Sequence, residues 1–326
     1  MKMSRGKKID FWILGILLVT VISAVSVGYY YVHSLADKVE TVDIDKEDIV
    51  VAPEVEEKVS KYNDTILNIA LFGVDADDKG SGRSDSIMIA TVDTKHKKLK
   101  LTSIMRDSYV NIDGHGVDKI NHAYAFGGPT LAMSTINQNF DLNIRDFATV
   151  NFESLPKIID KIGGIELDID SEELKYINGY IKDINRINHT SSPEIQATGL
   201  QHVDGTQAMA YCRIRYTTGG DYKRTERHRE VLSTMFSKIT TMSVTSYPSL
   251  LNEILPMIRT SLKSFDILDI GNEVLKMGIS NIEQERFPLD NYSQGKMINS
   301  IYYLTFDKDA TAKQIHEYIF EDKKSW

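Results

Sequence analysis

Residues 11–32 contain no charged side chain, and Lys2, Arg5, Lys7 and Lys8 stand immediately before them. A run of that length matches the roughly 20 apolar residues that a helix needs to cross a bilayer. The basic flank predicts that residues 1–8 stay in the cytoplasm and that everything after the span lies outside. Tyr29, Tyr30 and Tyr31 are then placed at the outer interface as aromatic anchors. A cleaved signal peptide is the rival, since Ala24 and Ser26 offer small residues for a cleavage site. The apolar run exceeds the ~7–15 residues of a signal core, which favours a retained signal-anchor over residues 9–32. Residues 33–63 are acidic and polar, with Val and Ile only loosely spaced, and are expected to form a stalk. The folded part is expected over residues 64–326, as a core over 66–240 with a C-terminal extension.

The net charge of −8 and the sequence pI near 5.5 argue against duplex nucleic acid as a partner, because DNA binders present a basic face. The single cysteine, Cys212, excludes an intrachain disulfide, and no Cys/His cluster has zinc spacing.

Beyond the stalk the pattern alternates between strand-like and helix-like segments. Residues 66–74, 86–93 and 99–105 are strand-length apolar runs, and the third ends at Arg106. The turn between the second and third is short enough for a hairpin. The start of one hairpin strand and the end of the next share an edge, so Asp85 and Arg106 are expected together. The loop from Asp75 to Asp85 brings Asp75 to the same end. Helices are expected over residues 129–140 behind Pro129, 152–162 ahead of Gly163 and Gly164, 203–210, 225–239, 265–277 and 311–320. Strands are expected over 165–169, 282–288 and 301–306, and 211–216 alternates as a strand does. With no internal boundary, these elements imply one α/β or α+β domain.

Five of the 12 arginines fall in one window: Arg213, Arg215, Arg224, Arg227 and Arg229. Guanidinium grips phosphate oxygens in pairs and stays charged at every working pH. A solvated charged face is the ordinary explanation of such a run. Two patterns oppose it. Arg213 and Arg215 flank Ile214 and so share a strand face. On the helix expected from 225, Val231, Leu232, Met235, Phe236 and Ile239 form an apolar stripe. Stepping back along it reaches His228, Arg227 and Arg224, whereas Arg229 and Glu226 fall off it toward the surface. Asp75, Asp77, Asp78 and Asp85 crowd one loop, where carboxylates form turns and caps or bind a hard cation. Cys212 reads as a buried, inert thiol.

The stretches NIALFGVD, GRSDSIMIATVD, LTSIMRDSYV, KINHAYAFGG, NFESLPKIIDKIGGIELDI and AMAYCRIRYTTGGDYKRTERHREVL lie in that order between residues 68 and 240. In these the chain resembles the LytR–CpsA–Psr family of cell-wall enzymes. The resemblance implies an α-β-α fold with a mixed central sheet flanked by helices and an apolar lipid tunnel. It implies a phosphotransferase that attaches a polyprenyl-pyrophosphate-linked anionic glycopolymer, of teichoic acid or capsule type, to peptidoglycan through a phosphodiester. Asp75 and Asp85 match the positions associated with Mg²⁺, with Mn²⁺ as the alternative ion. Arg83, Arg106, Arg213, Arg215, Arg224 and Arg227 match the arginines around the pyrophosphate, with Asp107 and Asp221 in support. Asp75, Arg106 and Arg227 are the expected catalytic set, Asp75 serving as base. His228 stands where the family usually has Gln and is expected to donate to phosphate and add pH sensitivity. Met105 stands where Pro is usual, and Ser86 and Ser108 where Thr is common. The implied partners are the lipid-linked polymer, peptidoglycan and the bilayer. A non-catalytic polyprenyl-phosphate sensor, a pyrophosphatase and the transcriptional attenuator of the family's historical label are the competing readings.

Overall fold

The computed structural model describes residues 40–76, 82–151, 153–279 and 281–326. The expected anchor, the basic tail before it, and Asp77 and Asp78 lie outside the described residues. Among the described residues no helix is long and apolar enough to cross a membrane.

In chain order the elements are β1 (Glu40–Thr41), α1 (Pro53–Ser60), β2 (Ile66–Ala76), β3 (Gly82–Asp93), β4 (Lys98–Ile104), β5 (Tyr109–Ile112), β6 (Gly116–Lys119), α2 (His122–Phe140), β7 (Asp146–Asn151), α3 (Ser154–Lys161), β8 (Ile165–Ile169), α4 (Ser171–Asn188), β9 (Gly199–Val203), α5 (Gly205–Arg213), α6 (Gly220–Thr240), α7 (Tyr247–Ile254), β10 (Arg259–Thr260), α8 (Ser264–Met277), β11 (Ile282–Phe287), β12 (Ser293–Ile298), β13 (Ile301–Phe306) and α9 (Lys308–Phe320). The central mixed sheet has the order β1-β10-β7-β2-β3-β4-β11. β3 runs antiparallel to both β2 and β4, as the hairpin reading expected, while β7 and β11 join parallel to β2 and β4.

β2 is apolar on both faces because both faces are covered. Ala70, Phe72 and Val74 enter a core shared with Met133 and Ile136 of α2, and Ile315 and Ile319 of α9. A second core, built by α3, β8, α4, α5, α6 and α7, covers the opposite side. Helices therefore flank the sheet on both faces, as the resemblance implied.

The packing begins before residue 64. Ile49, Val55 and Val59 are buried in the first core, and β1 pairs with β10, so the described part of the expected stalk belongs to the domain. Val55 and Val59 are four residues apart and so share one face of α1. The C-terminal segment is equally integral rather than an extension. Tyr318, Ile319 and Phe320 lie in the first core, and the buried Lys100 Nζ donates to Tyr318 O (2.7 Å) and pairs with Asp322 (3.0 Å). Each fully buried large apolar side chain contributes about 1.5–3 kcal/mol relative to exposure.

Two element readings are corrected. Residues 211–216 are no strand: 211–213 are the last turn of α5, and the chain becomes extended only at Ile214. The capping box of Asp204 and Gln207 starts that helix, and burial on all sides from Gly205 to Cys212 hides any periodic stripe. The helix expected from Pro129 is preceded by a further turn from His122, separated from it by non-helical Gly127 and Gly128. Gly128 has φ +63°, a conformation that favours glycine.

Candidate active site

The site is built around a β-bulge. The ladder pairs Gly73 with Ser86 but Val74 with Ser84, which leaves Asp85 as the extra residue. A Cβ on Gly73 would lie 2.9 Å from Ser86 Cβ, so the close approach at the bulge requires glycine. The bulge turns Asp85 toward the end of β4, where Arg106 Nη1 donates to Asp85 Oδ1 at 2.6 Å. Asn121 Nδ2 stands 3.5 Å from the same oxygen, and Arg215 Nη2 is 3.8 Å from Oδ2. Burial pushes the Asp85 carboxyl up, but Arg106, Arg224 and Arg215 more than reverse this and hold it below its ordinary range.

Arg106 is fixed from behind. Ser108 N–H donates to Met105 O (3.0 Å), Asn121 N–H to Arg106 O (3.2 Å) and Leu304 N–H to Asp107 O (2.8 Å). Met105 N–H donates to Phe287 O (2.9 Å), a bond that proline at this position would lack. The turn is therefore held with Met105 in place. At the start of α6, Asp221 Oδ1 forms an ion pair with Arg224 Nη2 at 2.7 Å and lies 3.4 Å from Arg106 Nη2. Asp107 pairs with Lys119 at 2.7 Å. Three guanidinium groups thus converge on Asp85 and Asp221. Burial lowers the Arg224 pKa, which Asp221 partly offsets while Arg106 lowers it further. Arg106 Nε, Arg224 Nε, Asn121 Oδ1 and Asp221 Oδ2 are buried without a hydrogen-bond partner in the protein. Unused buried donors beside clustered positive charge are what an incoming anion satisfies.

Arg83 and Arg213 are exposed, and Asp75 is exposed at the end of β2, opposite Arg83 in the ladder. Arg227 does not join the cluster. It is fully buried, and Nε donates to Glu173 Oε1 (2.8 Å), Nη1 to Ile214 O (3.2 Å) and Nη2 to Thr217 Oγ1 (2.6 Å). The apolar stripe does turn Arg227 inward, but there it faces Glu173 of α4 instead of the anion site. Arg229, expected at the surface, is also buried. His228 is no phosphate donor or pH sensor: Nε2 bonds Cys212 O (3.0 Å), and burial, then Arg224, push the imidazole down to about 3. Cys212 is a buried free thiol, pushed up to about 12 by burial.

An apolar cavity of about 300 Å³ lies between the sheet and α3, α6 and α7. Leu71 and Met88, on the sheet face opposite the first core, line it with Leu155, Val231, Leu232 and Met235. Ser86, next to Asp85 in the chain, and His228, one helical turn on from Arg224 in α6, are part of its wall. The cavity therefore lies beside the charged cluster.

Among the described residues no group of three or more His, Cys, Asp or Glu side chains is poised for a metal ion. Asp85 Oδ1 is bonded to Arg106, and Asp75 is exposed at the end of β2. Mg²⁺ characteristically takes one or two carboxylates together with substrate phosphates and water, a chemistry that these two side chains have.

Residues 27–319 match the LytR_cpsA_psr family. The chain belongs to this family. It is 35% identical over 274 residues to the polyisoprenyl-teichoic acid–peptidoglycan teichoic acid transferase TagU of Enterococcus faecalis, covering 81% of this chain and 82% of the relative. A solved structure described as TagT bound to LIIa-WTA superposes with a TM-score of 0.61 at 25% identity, covering 79% of this chain and 91% of that one. A crystal structure described as a transcriptional regulator from Enterococcus faecalis gives a TM-score of 0.62 at 26% identity, covering 79% and 89% of the two chains. In this LytR–CpsA–Psr chain, sequence reasoning missed Asn121 and Lys119. Both lie in the KINHAYAFGG stretch already matched to the family, Lys119 at the end of β6 and Asn121 at the N-cap of α2.

Proposed function

We propose that this protein is a phosphotransferase that moves a glycopolymer of teichoic acid type from a polyprenyl pyrophosphate to peptidoglycan. The observation that carries the reading is an arginine cluster, Arg106, Arg215 and Arg224 with Asp85 and Asp221, beside an apolar cavity. A lipid pyrophosphate needs both halves of that arrangement, cations for its phosphates and apolar walls for its tail. The named activity of the TagU relative supports the same substrate pair.

In this reading the peptidoglycan hydroxyl oxygen attacks the phosphorus that carries the glycopolymer. A new P–O bond forms, the P–O bond to the bridging pyrophosphate oxygen breaks, and polyprenyl phosphate leaves. The hydroxyl proton passes to a carboxylate, for which Asp75 is assigned. Phosphoryl transfer asks chiefly for positioning and charge neutralisation. Arg106 and Arg224 supply the leaving phosphate with donors that do not reorganise, because Asp85, Asp221 and the turn of 105–108 already fix them. Arg83 and Arg213 add positive charge at the rim. Asp75 and Asp85 would hold Mg²⁺ or Mn²⁺, which would supply further charge neutralisation to the bound pyrophosphate. Arg227 is assigned to holding α4 against α6 and is removed from the catalytic set. Residues 9–32 anchor the domain to the outer face of the membrane, where both substrates lie.

The test combines the purified full chain in detergent, a polyprenyl-pyrophosphate-linked glycopolymer, peptidoglycan oligomers and Mg²⁺. Formation of a phosphodiester-linked product that disappears in Arg106→Ala is the expected result. Donor binding with no linked product would leave the sensor reading standing. Phosphorylated glycan released without acceptor would favour the pyrophosphatase.

A further inference from the structure

A second cavity, of about 210 Å³, opens beside Arg106. Its walls include Met105 and Asp107, the residues flanking Arg106, together with Asp221, Tyr222 and Tyr302, and none of these lines the apolar cavity. The charged cluster therefore has two neighbouring spaces. One is almost wholly apolar, with Ser86 and His228 in its wall. The other sets the two acidic residues Asp107 and Asp221 among apolar and aromatic side chains.

The chemistry of the second space differs from that of the first. Asp107, paired with Lys119, and Asp221, paired with Arg224, line it, and Asp221 Oδ2 is buried with no hydrogen-bond partner in the protein. Two aromatic rings form its other side. Tyr222 is backed by the Arg286 guanidinium, 4.3 Å from the ring centroid, and Arg286 is held by Pro288 O and Asp290 at 2.8 Å each. Tyr302 lies across Gly295 of the paired strand β12, where a Cβ would sit 2.7 Å from the phenol oxygen. Leu304 N–H donates to Asp107 O, so β13, which carries Tyr302, is tied to the turn that carries Arg106. Burial, then Tyr222, Asp107 and Asp221, raise the Tyr302 pKa, so the phenol stays a neutral donor.

Carboxylate oxygens accept from hydroxyls, and aromatic faces carry the apolar face of a sugar ring. Resting on the transferase reading above, we propose that this second cavity is the acceptor subsite, holding a neutral, hydroxyl-bearing sugar of the peptidoglycan glycan between Tyr302 and Asp221. A hydroxyl held there lies next to Arg106, on the far side of the cluster from the lipid.

The experiment titrates the full chain in detergent with a peptidoglycan-derived oligosaccharide by calorimetry, with polyprenyl pyrophosphate present, and separately measures the affinity for polyprenyl pyrophosphate. Tyr302→Ala is expected to weaken the oligosaccharide about tenfold, the scale of one lost ring contact. Tyr302→Phe should retain most of the affinity, and lipid affinity should stay constant across the series. Gly295→Val, which displaces the Tyr302 ring from an exposed hairpin, should act like Tyr302→Ala. Unchanged oligosaccharide affinity in both Tyr302→Ala and Gly295→Val overturns the subsite. So does a parallel loss of lipid affinity, or a wild-type chain that binds no oligosaccharide. A wild-type chain that binds both ligands without linking them overturns the transferase reading and leaves the sugar site standing.

Discussion

Arg227→Ala separates a fold residue from a site residue. In the structure Arg227 is fully buried, and its three hydrogen bonds go to Glu173, Ile214 and Thr217. Glu173 is equally buried, and its other oxygen, Oε2, accepts from Asp170 N–H at 2.9 Å as part of the capping box of α4. Removing the guanidinium leaves that carboxylate in the interior with only its cap bond. Breaking a buried pair on one side costs about 3–5 kcal/mol, a large share of the ~5–15 kcal/mol by which a domain is stable. At about 2–4 °C per kcal/mol for a domain of roughly this size, the melting temperature should fall by about 6–20 °C. The double variant Arg227→Met with Glu173→Gln keeps the cap and removes both charges, and should recover most of the loss. Arg106→Ala should melt well above Arg227→Ala, because Asp85 keeps Arg215 and Asn121 nearby. Melting curves by circular dichroism, read beside the transfer assay, give the answer. An Arg227→Ala chain that melts within about 2 °C of wild type yet has lost transfer would refute the buried-pair argument and return Arg227 to the substrate.

Three further outcomes are expected. Asp85→Asn keeps an acceptor for Arg106 but removes the charge, so product formation should drop at least ~100-fold, the scale of one lost electrostatic contact in a preorganised site; transfer at the wild-type rate would remove Asp85 from the site. Leu232→Trp fills the apolar cavity, and affinity for polyprenyl pyrophosphate measured in detergent should fall while peptidoglycan oligosaccharide still binds; full lipid affinity would mean the tail lies elsewhere. His228 is neutral when folded and is pushed down to about 3, whereas an unfolded imidazole titrates near ~6.5. Below that value the unfolded chain takes up the proton first, so stability falls as pH falls from about 6.5 toward 3, by up to about 2 kcal/mol at pH 5. Urea unfolding at pH 5 and 7.5 should show His228→Gln losing less stability on acidification than wild type, and identical losses would count against a neutral buried imidazole.

Much of this molecule was legible in its residues. Short apolar runs and a tight turn were enough to place Asp85 and Arg106 at one edge, because hairpin geometry is local. The stripe on α6 turned Arg224 inward for the same reason. Ordered motif stretches carried the family. A local pattern says that a side chain faces inward, though not what it meets there. Arg224 reaches Asp221, and Arg227, one turn further along, meets Glu173 of α4 instead. That difference depends on the packing of a helix whose pairing the sequence did not reveal. Residues 211–216 alternate like a strand, but the surrounding second core makes 211–213 the end of α5. The bulge at Asp85, the neutral state of His228, and the meeting of Tyr302 with the Arg106 turn all join distant segments. Sequence alone determined the chemical inventory and its local faces, since those follow from side-chain type and backbone period. Only the tertiary structure decided which buried charges are already paired and which remain open to a ligand, because pairing is set by neighbours far away along the chain.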